Sequence, residues 1–288
     1  AQVRQKALDK LIELKKYTKE PFKFAISGSG ALGLCEQGEL PFVQEVFASA
    51  TGVSKLYPET DCAIELGGED AKILLPLKGT PSTHIIKPGI ERFPESVFNE
   101  YYCMKLAAAC GLETAPCDIL MLKGIPYYIT ERYDRAYNGK IWTRLHQEDF
   151  CQLLGYDPKV KYESEGGPKL LQCFELLRKM EMPATDTIAF LDRIIFCFLI
   201  GNGDAHAKNF SVVYRNKKPG LAPAYDLLST TVYPNLAPRL AMKIDGEYSF
   251  RWITPGKLIR MGIKAGLSER IVKMEIQKIQ KRLNKVLI

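Results

Sequence analysis

The spacing of apolar and polar positions divides the chain into a strand-rich first half and a helix-rich second half. Short apolar runs of strand length are separated by turn residues, and they lie at residues 62–66, 72–77, 83–87, 117–122 and 127–131. One longer run, at residues 96–110 before Gly111, has the length and the glycine stop of a helix. The pattern therefore predicts a twisted sheet with one prominent helix.

Helical periodicity dominates after residue 140. It predicts helices at residues 147–154, 168–180 and 185–200, and a final helix capped by Ser268. The segment 185–200 is apolar on nearly every side, which is typical of a buried core helix. The final helix has an apolar stripe and a basic face, and a basic face of this kind is most simply a solvated one. Residues 2–17 also have the pattern of an amphipathic helix.

Composition and charge narrow the class of protein. The chain has 288 residues, 46% of them hydrophobic and 25% charged, which is ordinary for a globular protein. Its net charge of +7 suits an anionic ligand such as ATP but is too diffuse to require nucleic acid. No apolar run approaches the ~20 residues of a membrane span, and the first residues lack the apolar segment of a signal peptide. We therefore expect a cytoplasmic protein without a membrane partner.

The eight cysteines form no Cys-x-x-Cys pair. Several lie in apolar helical runs, where cysteine behaves as a small hydrophobic residue. This usage favours reduced thiols over disulfides or a structural zinc site.

The order of Asp204, Asn209 and Asp226 carries the strongest chemical signal. The asparagine follows the first aspartate by five positions, a strand-like run at 210–214 comes next, and the second aspartate follows it. This is the layout of a protein-kinase catalytic loop and its metal-binding aspartate. One carboxylate must accept the proton of the attacking hydroxyl, while an amide oxygen and the second carboxylate hold magnesium. The spacing predicts phosphoryl transfer from ATP with Mg²⁺.

A lysine and a glutamate upstream complete the set in kinase order. Lys87 ends a predicted strand and would neutralise phosphate oxygens of ATP. Glu100 lies in the following helix and would orient that lysine through an ion pair. The alternatives are a solvated edge-strand lysine and an ordinary glutamate on an exposed helix face.

Two further segments have weaker signals. Residues 128–135 form a connector that could offer backbone groups to adenine and the Asp134 carboxylate to ribose, or could be an ordinary charged strand end. His206 is predicted to orient the catalytic loop by a hydrogen bond rather than to bind zinc. The G-x-G-x-x-G at 28–33 is interpreted as a turn or linker, since it lies too far from Lys87 for a kinase glycine loop.

Several stretches together resemble the HipA serine/threonine kinases, the toxins of bacterial toxin–antitoxin pairs. They follow one another in family order at residues 75–88, 99–107, 129–135, 144–152, 161–168, 201–211 and 223–229. The resemblance implies an α+β, two-lobed, protein-kinase-like fold with a sheet-rich N-lobe and a mostly helical C-lobe. Residues 1–60 would be an N-terminal segment that is part of the N-lobe, 61–134 the kinase-like N-lobe ending in a hinge, and 135–288 the helical C-lobe with the catalytic loop.

The resemblance also implies roles and partners. Asp204 would be the catalytic base, Asn209 and Asp226 the metal ligands, and Lys87 the phosphate contact. The nucleoside would lie among three connector residues, Glu131, Tyr133 and Asp134. The implied partners are a DNA-binding antitoxin of the HipB type, with DNA reached only through it, and an aminoacyl-tRNA synthetase as substrate, whose phosphorylation would arrest translation and growth.

The family's glycine-rich phosphate loop with its regulatory serine has no secure match. The turn at 67–70 contains no serine, and residues 51–55 are a candidate remnant. An alternative function therefore stays open, that of a catalytically weak or inactive kinase-like module that acts by binding an antitoxin or another regulator. A nucleic-acid binder, suggested by net charge, is a third possibility.

Overall fold

The computed structural model describes residues 63–66, 71–74, 83–157 and 159–287. The chain divides between Glu65 and Leu66 into two units, and the second contains the sheets and helices from residue 83 onward. The predicted helix at 2–17, the glycine motif at 28–33, the segment 51–55 and the turn at 67–70 lie outside the described residues. Two strands that the sequence predicts near residues 62–77 are present as β1 (Ala63–Leu66) and β2 (Ala71–Leu74).

Three antiparallel strands form the sheet that carries the lysine. They are arranged in the order β3-β5-β4, and their bounds are His84–Pro88 for β3, Cys117–Leu122 for β4 and Ile125–Glu131 for β5. Lys123 and Gly124 connect β4 to β5 with φ angles of 51° and 80°, which is the left-handed geometry of a two-residue hairpin turn. The predicted hairpin is confirmed, with a tighter turn than its sequence suggested.

Helix α1 (Ser96–Ala109) confirms the prominent helix of the first half. It packs against β4 and β5 through a buried face that includes Val97, Cys103, Met104, Leu106 and Ala107. Glu100 lies on this buried face and is only 8% exposed. A carboxylate on a buried helix face requires a charged or hydrogen-bonding partner, and the Lys87 side chain supplies it.

The second half contains more strands than the sequence pattern predicts. Its helices are α2 (Phe150–Leu153), α3 (Leu170–Lys179), α4 (Ala184–Leu199), α5 (Pro255–Lys264) and α6 (Glu269–Leu287). Its strands are β6 (Arg135–Tyr137), β7 (Trp142–Arg144), β8 (Gln147–Asp149), β9 (Ser211–Arg215), β10 (Lys218–Leu221), β11 (Arg239–Ile244) and β12 (Glu247–Ser249). Helices α3, α4 and α6 match their predicted positions closely, and β9 matches the run at 210–214.

The predicted helix at 147–154 is wrong in its first half. Residues 147–149 are β8, which pairs with β9. Asp149 then caps α2 by accepting a hydrogen bond from the backbone of Gln152, whose side chain in turn accepts from the Asp149 backbone. This capping box starts the helix three residues later than the apolar pattern suggests.

Helix α4 is the buried core helix that its sequence predicts. Four of its side chains, Phe190, Leu191, Ile195 and Phe196, are wholly inaccessible to solvent. Phe190 meets Phe150, Phe174 and Phe210 at ring-centroid distances of 4.7 to 5.4 Å. Because this core fixes the end of α4, it also fixes the start of the loop that carries Asp204. No helix in the described part of the chain is long and apolar enough to cross a membrane.

Candidate active site

A lysine lies between two carboxylates at the junction of sheet and loop. The Lys87 Nζ is 2.9 Å from the Glu100 Oε1 and 2.5 Å from the Asp226 Oδ1. The structure thus joins β3, α1 and the segment after β10 through one cation. Lys87 and Glu100 form the ion pair that the sequence suggests, and their role toward a nucleotide stays a prediction.

Asp226 is held as an anion. Its backbone has φ 60°, an uncommon left-handed conformation for a residue other than glycine. Burial raises the pKa of its carboxyl, but the charge of Lys87 and its hydrogen bond outweigh burial, so that the pKa lies below its ordinary value. The carboxylate is therefore ionised and available to a cation.

Asn209 joins the two aspartates of the loop. Its Nδ2 donates to the Asp226 Oδ2 and to the Asp204 backbone oxygen, both at 3.2 Å. A carboxylate beside an amide group offers the oxygen ligands that Mg²⁺ prefers, so these residues fit the ion. No group of three or more His, Cys, Asp or Glu side chains suited to a metal occurs in the described residues. A magnesium ion here would take its other ligands from phosphate and water.

The loop that presents Asp204 is fixed by close backbone contacts. The Asp204 backbone nitrogen donates to the Asn202 Oδ1 at 3.0 Å. The Thr230 Oγ1 accepts from the Gly203 nitrogen at 2.8 Å and donates to the Gly201 oxygen at 3.0 Å. A Cβ on Gly203 would lie 2.5 Å from the Arg239 oxygen, so only glycine fits there. The loop is rigid, as a catalytic position requires.

The backbone of His206 orients the loop, because its nitrogen donates to the Asp204 oxygen at 2.8 Å and its oxygen accepts from the Asn209 nitrogen at 2.9 Å. The His206 side chain forms no such hydrogen bond. Its Nε2 is 3.7 Å from the Asp204 Oδ1, which exceeds a hydrogen-bond distance, and its buried Nδ1 has no hydrogen-bond partner among the described residues. Burial lowers the pKa of His206 despite the opposing charge of Asp204, so the ring is neutral. The hydrogen bond to the Asp204 Oδ1 comes instead from the hydroxyl of Tyr162.

Sequence reasoning missed Tyr162. The residue lies in the stretch 161–168, which resembles the family but contains no kinase-motif residue. Asn202 and Thr230 were also missed, although Asn202 lies within the stretch 201–211. The only sequence signal for these three residues is that they lie within or next to the stretches that resemble the family. No chemical pattern marks them.

The three residues predicted around the nucleoside lie at the end of β5 and in the connector that follows it. Glu131 is exposed at the end of its strand. The Tyr133 ring stacks on Tyr225 with centroids 5.5 Å apart, and its hydroxyl donates to the Gln147 side chain at 3.0 Å. The aromatic face of Tyr133 is thus already engaged by another ring.

Asp134 is buried between arginines. Its carboxylate accepts from Arg132 at 2.9 Å and is 2.7 Å from the Arg135 Nη1. Burial raises the pKa of Asp134, but the two guanidinium groups outweigh it and hold the pKa below its ordinary value. These contacts fasten the connector, and a ribose contact, which stays a prediction, would have to compete with them.

Comparison with known proteins places this arrangement in a family. The model of the HipA-like C-terminal domain matches residues 64–287. The chain belongs to the HipA-like C-terminal domain family. The match includes every residue of the candidate site, from Lys87 to Asp226.

Relatives in this family carry kinase names. A Sinorhizobium fredii protein named "Putative kinase Y4mE" is 50% identical over 61% of this chain and 42% of its own length. The "Serine/threonine-protein kinase toxin HipA" of Shewanella oneidensis is 30% identical over 70% of this chain and 49% of its own length. The chain spans about half the length of the curated relatives it matches.

A solved structure confirms the fold class. One chain in the structure of the Shewanella oneidensis HipA, HipB and operator DNA complex is similar to this chain. The match covers 93% of this chain and 65% of the other. The TM-score is 0.69 at 24% sequence identity. The predicted α+β, two-lobed, kinase-like fold is confirmed. The proposed boundaries at residues 60 and 134 stay predictions.

Proposed function

We propose that this chain is the kinase part of an ATP- and Mg²⁺-dependent serine/threonine protein kinase of the HipA type. The observation that carries the proposal is the ion pair of Lys87 with Glu100 and Asp226, beside the Asn209 amide. A strand lysine, a helix glutamate and a metal-site carboxylate meet in this way in protein kinases. The proposal assigns each residue one task.

Asp204 accepts the proton of the attacking hydroxyl and directs that hydroxyl toward the terminal phosphate of ATP. Lys87 neutralises phosphate oxygens, and Glu100 keeps the ammonium group in place when Asp226 turns to other contacts. Asn209 and Asp226 would hold magnesium, which supplies positive charge against the phosphates when bound. His206 packs beside Asp204 as a neutral ring.

The antitoxin partner is proposed from the relatives, and the substrate is proposed from the family resemblance. One relative is named a kinase toxin, and the solved complex contains HipB and operator DNA. We propose a DNA-binding antitoxin of the HipB type as partner, with DNA reached only through it. We propose an aminoacyl-tRNA synthetase as substrate, whose phosphorylation would arrest translation.

Phosphate transfer tests the proposal directly. Purified protein is incubated with ATP labelled at the terminal phosphate, magnesium and a panel of aminoacyl-tRNA synthetases. Asp204→Asn should lower the rate by ~100-fold or more, because the proton acceptor is lost while the shape is kept. Asp118→Asn serves as the matched control, since Asp118 lies on β4 and bonds only the neighbouring backbone nitrogen of Ile119 among the described residues. Equal transfer by wild type and Asp204→Asn would contradict the mechanism.

A kinase-like binding module is the second candidate function. The contact of Lys87 with Asp226 favours it, because each group already satisfies the charge that the other would offer to a nucleotide or a metal. Calorimetry with ATP and magnesium separates the two functions. Magnesium-dependent nucleotide binding without any phosphate transfer, on any synthetase or on the chain itself, would support the binding module.

A further inference from the structure

Tyr162 contacts the proposed catalytic base, Asp204, although its segment of the chain has no part in the proposed mechanism. Its hydroxyl donates a hydrogen bond to the Oδ1 of Asp204. Tyr162 lies between α2 and α3, 42 positions before Asp204 in sequence. Such a distant residue reaches the carboxylate only because the fold brings its segment over the catalytic loop.

The segment around Tyr162 is anchored on both sides. The Glu163 side chain accepts from the backbone nitrogen of Lys243 in β11 at 2.7 Å. The Tyr162 backbone oxygen accepts from the Gly167 nitrogen at 2.8 Å, and a Cβ on Gly167 would lie 2.7 Å from that oxygen. The chain therefore folds back on itself tightly, and the tyrosine backbone has little freedom to move.

The Tyr162 ring is also fixed by its neighbours. It meets the His206 ring edge-on, with centroids 5.3 Å apart and an interplanar angle of 78°. The Lys161 Nζ lies 5.4 Å from the centre of the ring, within the range of a cation–π contact. A tyrosine held in this way presents its hydroxyl at one defined place.

The two oxygens of Asp204 have different surroundings. Tyr162 bonds the Oδ1, and the His206 Nε2 lies nearest the same oxygen. The Oδ2 has no hydrogen-bond partner among the described residues, and the Asp204 side chain is 34% exposed to solvent. One oxygen is therefore held by the protein while the other stays open to an incoming group.

We infer that Tyr162 is a positioning residue for phosphate transfer. Its hydroxyl fixes the rotamer of Asp204 through Oδ1, so that Oδ2 faces the acceptor hydroxyl and takes its proton. The inference rests on the proposed kinase function. A carboxylate that rotates freely spends less time in the reactive orientation, and such misplacement lowers the rate of the chemical step more than it lowers substrate binding.

Removal of one hydroxyl tests this role. Tyr162→Phe keeps the ring but loses the donor, and we expect kcat to fall about 10-fold. The KM for ATP should change less than about 2-fold, because the affected step follows binding. Tyr156→Phe is the matched control, since the Tyr156 hydroxyl lies in the same connecting region and bonds Gln172. That variant should retain the wild-type kcat.

Three results would overturn the inference. An unchanged kcat in Tyr162→Phe would show that the hydroxyl does not matter. A raised kcat would show that the hydroxyl blocks the acceptor position, and a raised KM for ATP at constant kcat would indicate a binding role. If wild type transfers phosphate and Tyr162→Phe equals it, the positioning role fails and the kinase function stands.

A crystal structure of Tyr162→Phe gives a readout that does not depend on turnover. We expect the Asp204 side chain to leave its rotamer or to show more than one. An Asp204 rotamer unchanged from wild type would overturn the inference even if no protein substrate is found. Absent transfer by wild type on every acceptor would count against the kinase function alone.

Discussion

Two regions of this protein contain the same three charges and use them differently. Each has one lysine between an aspartate and a glutamate: Lys87 with Asp226 and Glu100 in the candidate site, the cleft triad, and Lys278 with Asp192 and Glu275 between α4 and α6, the helix triad. The lysines are similarly exposed, at 20% and 30% of their side chains. Composition and the exposure of the lysines alone therefore do not distinguish the two triads.

The pKa values of the two aspartates separate them. Burial raises the pKa of Asp226, but Lys87 outweighs it and the pKa lies below its ordinary value. Burial raises the pKa of Asp192 to about 6, because the nearby Glu275 adds to the effect of burial and Lys278 offsets only part of it. The Asp192 Oδ1 also has no hydrogen-bond partner among the described residues.

The difference shows what a ligand site requires. In the cleft triad the aspartate is fully ionised, and further positive charge comes from Lys161 beyond Lys87. Such a carboxylate can exchange its lysine for a metal ion without first losing a proton. In the helix triad burial and the Glu275 carboxylate keep the pKa of Asp192 raised, and the cluster joins α6 to α4. We therefore propose a chemical role for the cleft triad and a structural role for the helix triad.

The largest expected difference between the triads is the effect on phosphate transfer when each lysine is replaced by methionine. Lys87→Met should lower phosphate transfer by about 100-fold or more, because the ammonium group that would neutralise the phosphate oxygens is lost. Lys278→Met should keep transfer within about 2-fold of wild type, since its triad lies outside the proposed chemistry. Initial rates with labelled ATP and one synthetase measure both. A large loss of transfer in a folded Lys278→Met protein would contradict the assignment.

The sequence predicted the parts of the cleft that are local in the chain. Asp204 and Asn209 share one loop, so their spacing alone carried the signal. Lys87 and Glu100 lie on a strand and the helix that follows it, and short connections keep such elements adjacent. The left-handed backbone of Asp226 and the direct contact of its carboxylate with Lys87 were not visible in the sequence.

Contacts between distant segments were missed for a physical reason. Tyr162 reaches Asp204 only after α2, α3 and β11 have packed, and no periodicity records that event. The arginines around Asp134 were different, because Arg132 and Arg135 are its near neighbours in sequence. The pattern suggested that Asp134 is open to a ribose, although the sequence already contains the two arginines that pair with its carboxylate.

The second largest effect should be on stability and should appear in the helix triad. Lys278→Met leaves Asp192 and Glu275 buried beside each other without a cation. Breaking a buried ion pair by removing one partner typically costs about 3 kcal/mol or more of the free energy of unfolding. Urea unfolding at neutral pH measures the loss. Lys273→Met is the matched control, because Lys273 on the same helix pairs with the exposed Glu269 and should lose less than about 1 kcal/mol.

The smallest effect is a difference of sign in the pH dependence of stability. The raised pKa of Asp192 means that the folded state binds its proton more tightly than the unfolded chain does. Relative to Asp192→Asn, the wild type should therefore lose about 2 kcal/mol of unfolding free energy as the pH rises from about 4 to about 6. Unfolding curves at several pH values for both proteins give this difference.

Asp226 should respond in the opposite direction. Its pKa is lowered in the folded state, so the folded state binds the proton less tightly than the unfolded chain does. The stability that wild type holds over Asp226→Asn should be present above about pH 4 and should fall as the pH drops through the folded pKa. The same unfolding series provides the measurement. If both aspartates gave the same sign, the two triads would share one electrostatic character. The cleft triad would then be no better prepared than the helix triad to release its lysine to a metal ion.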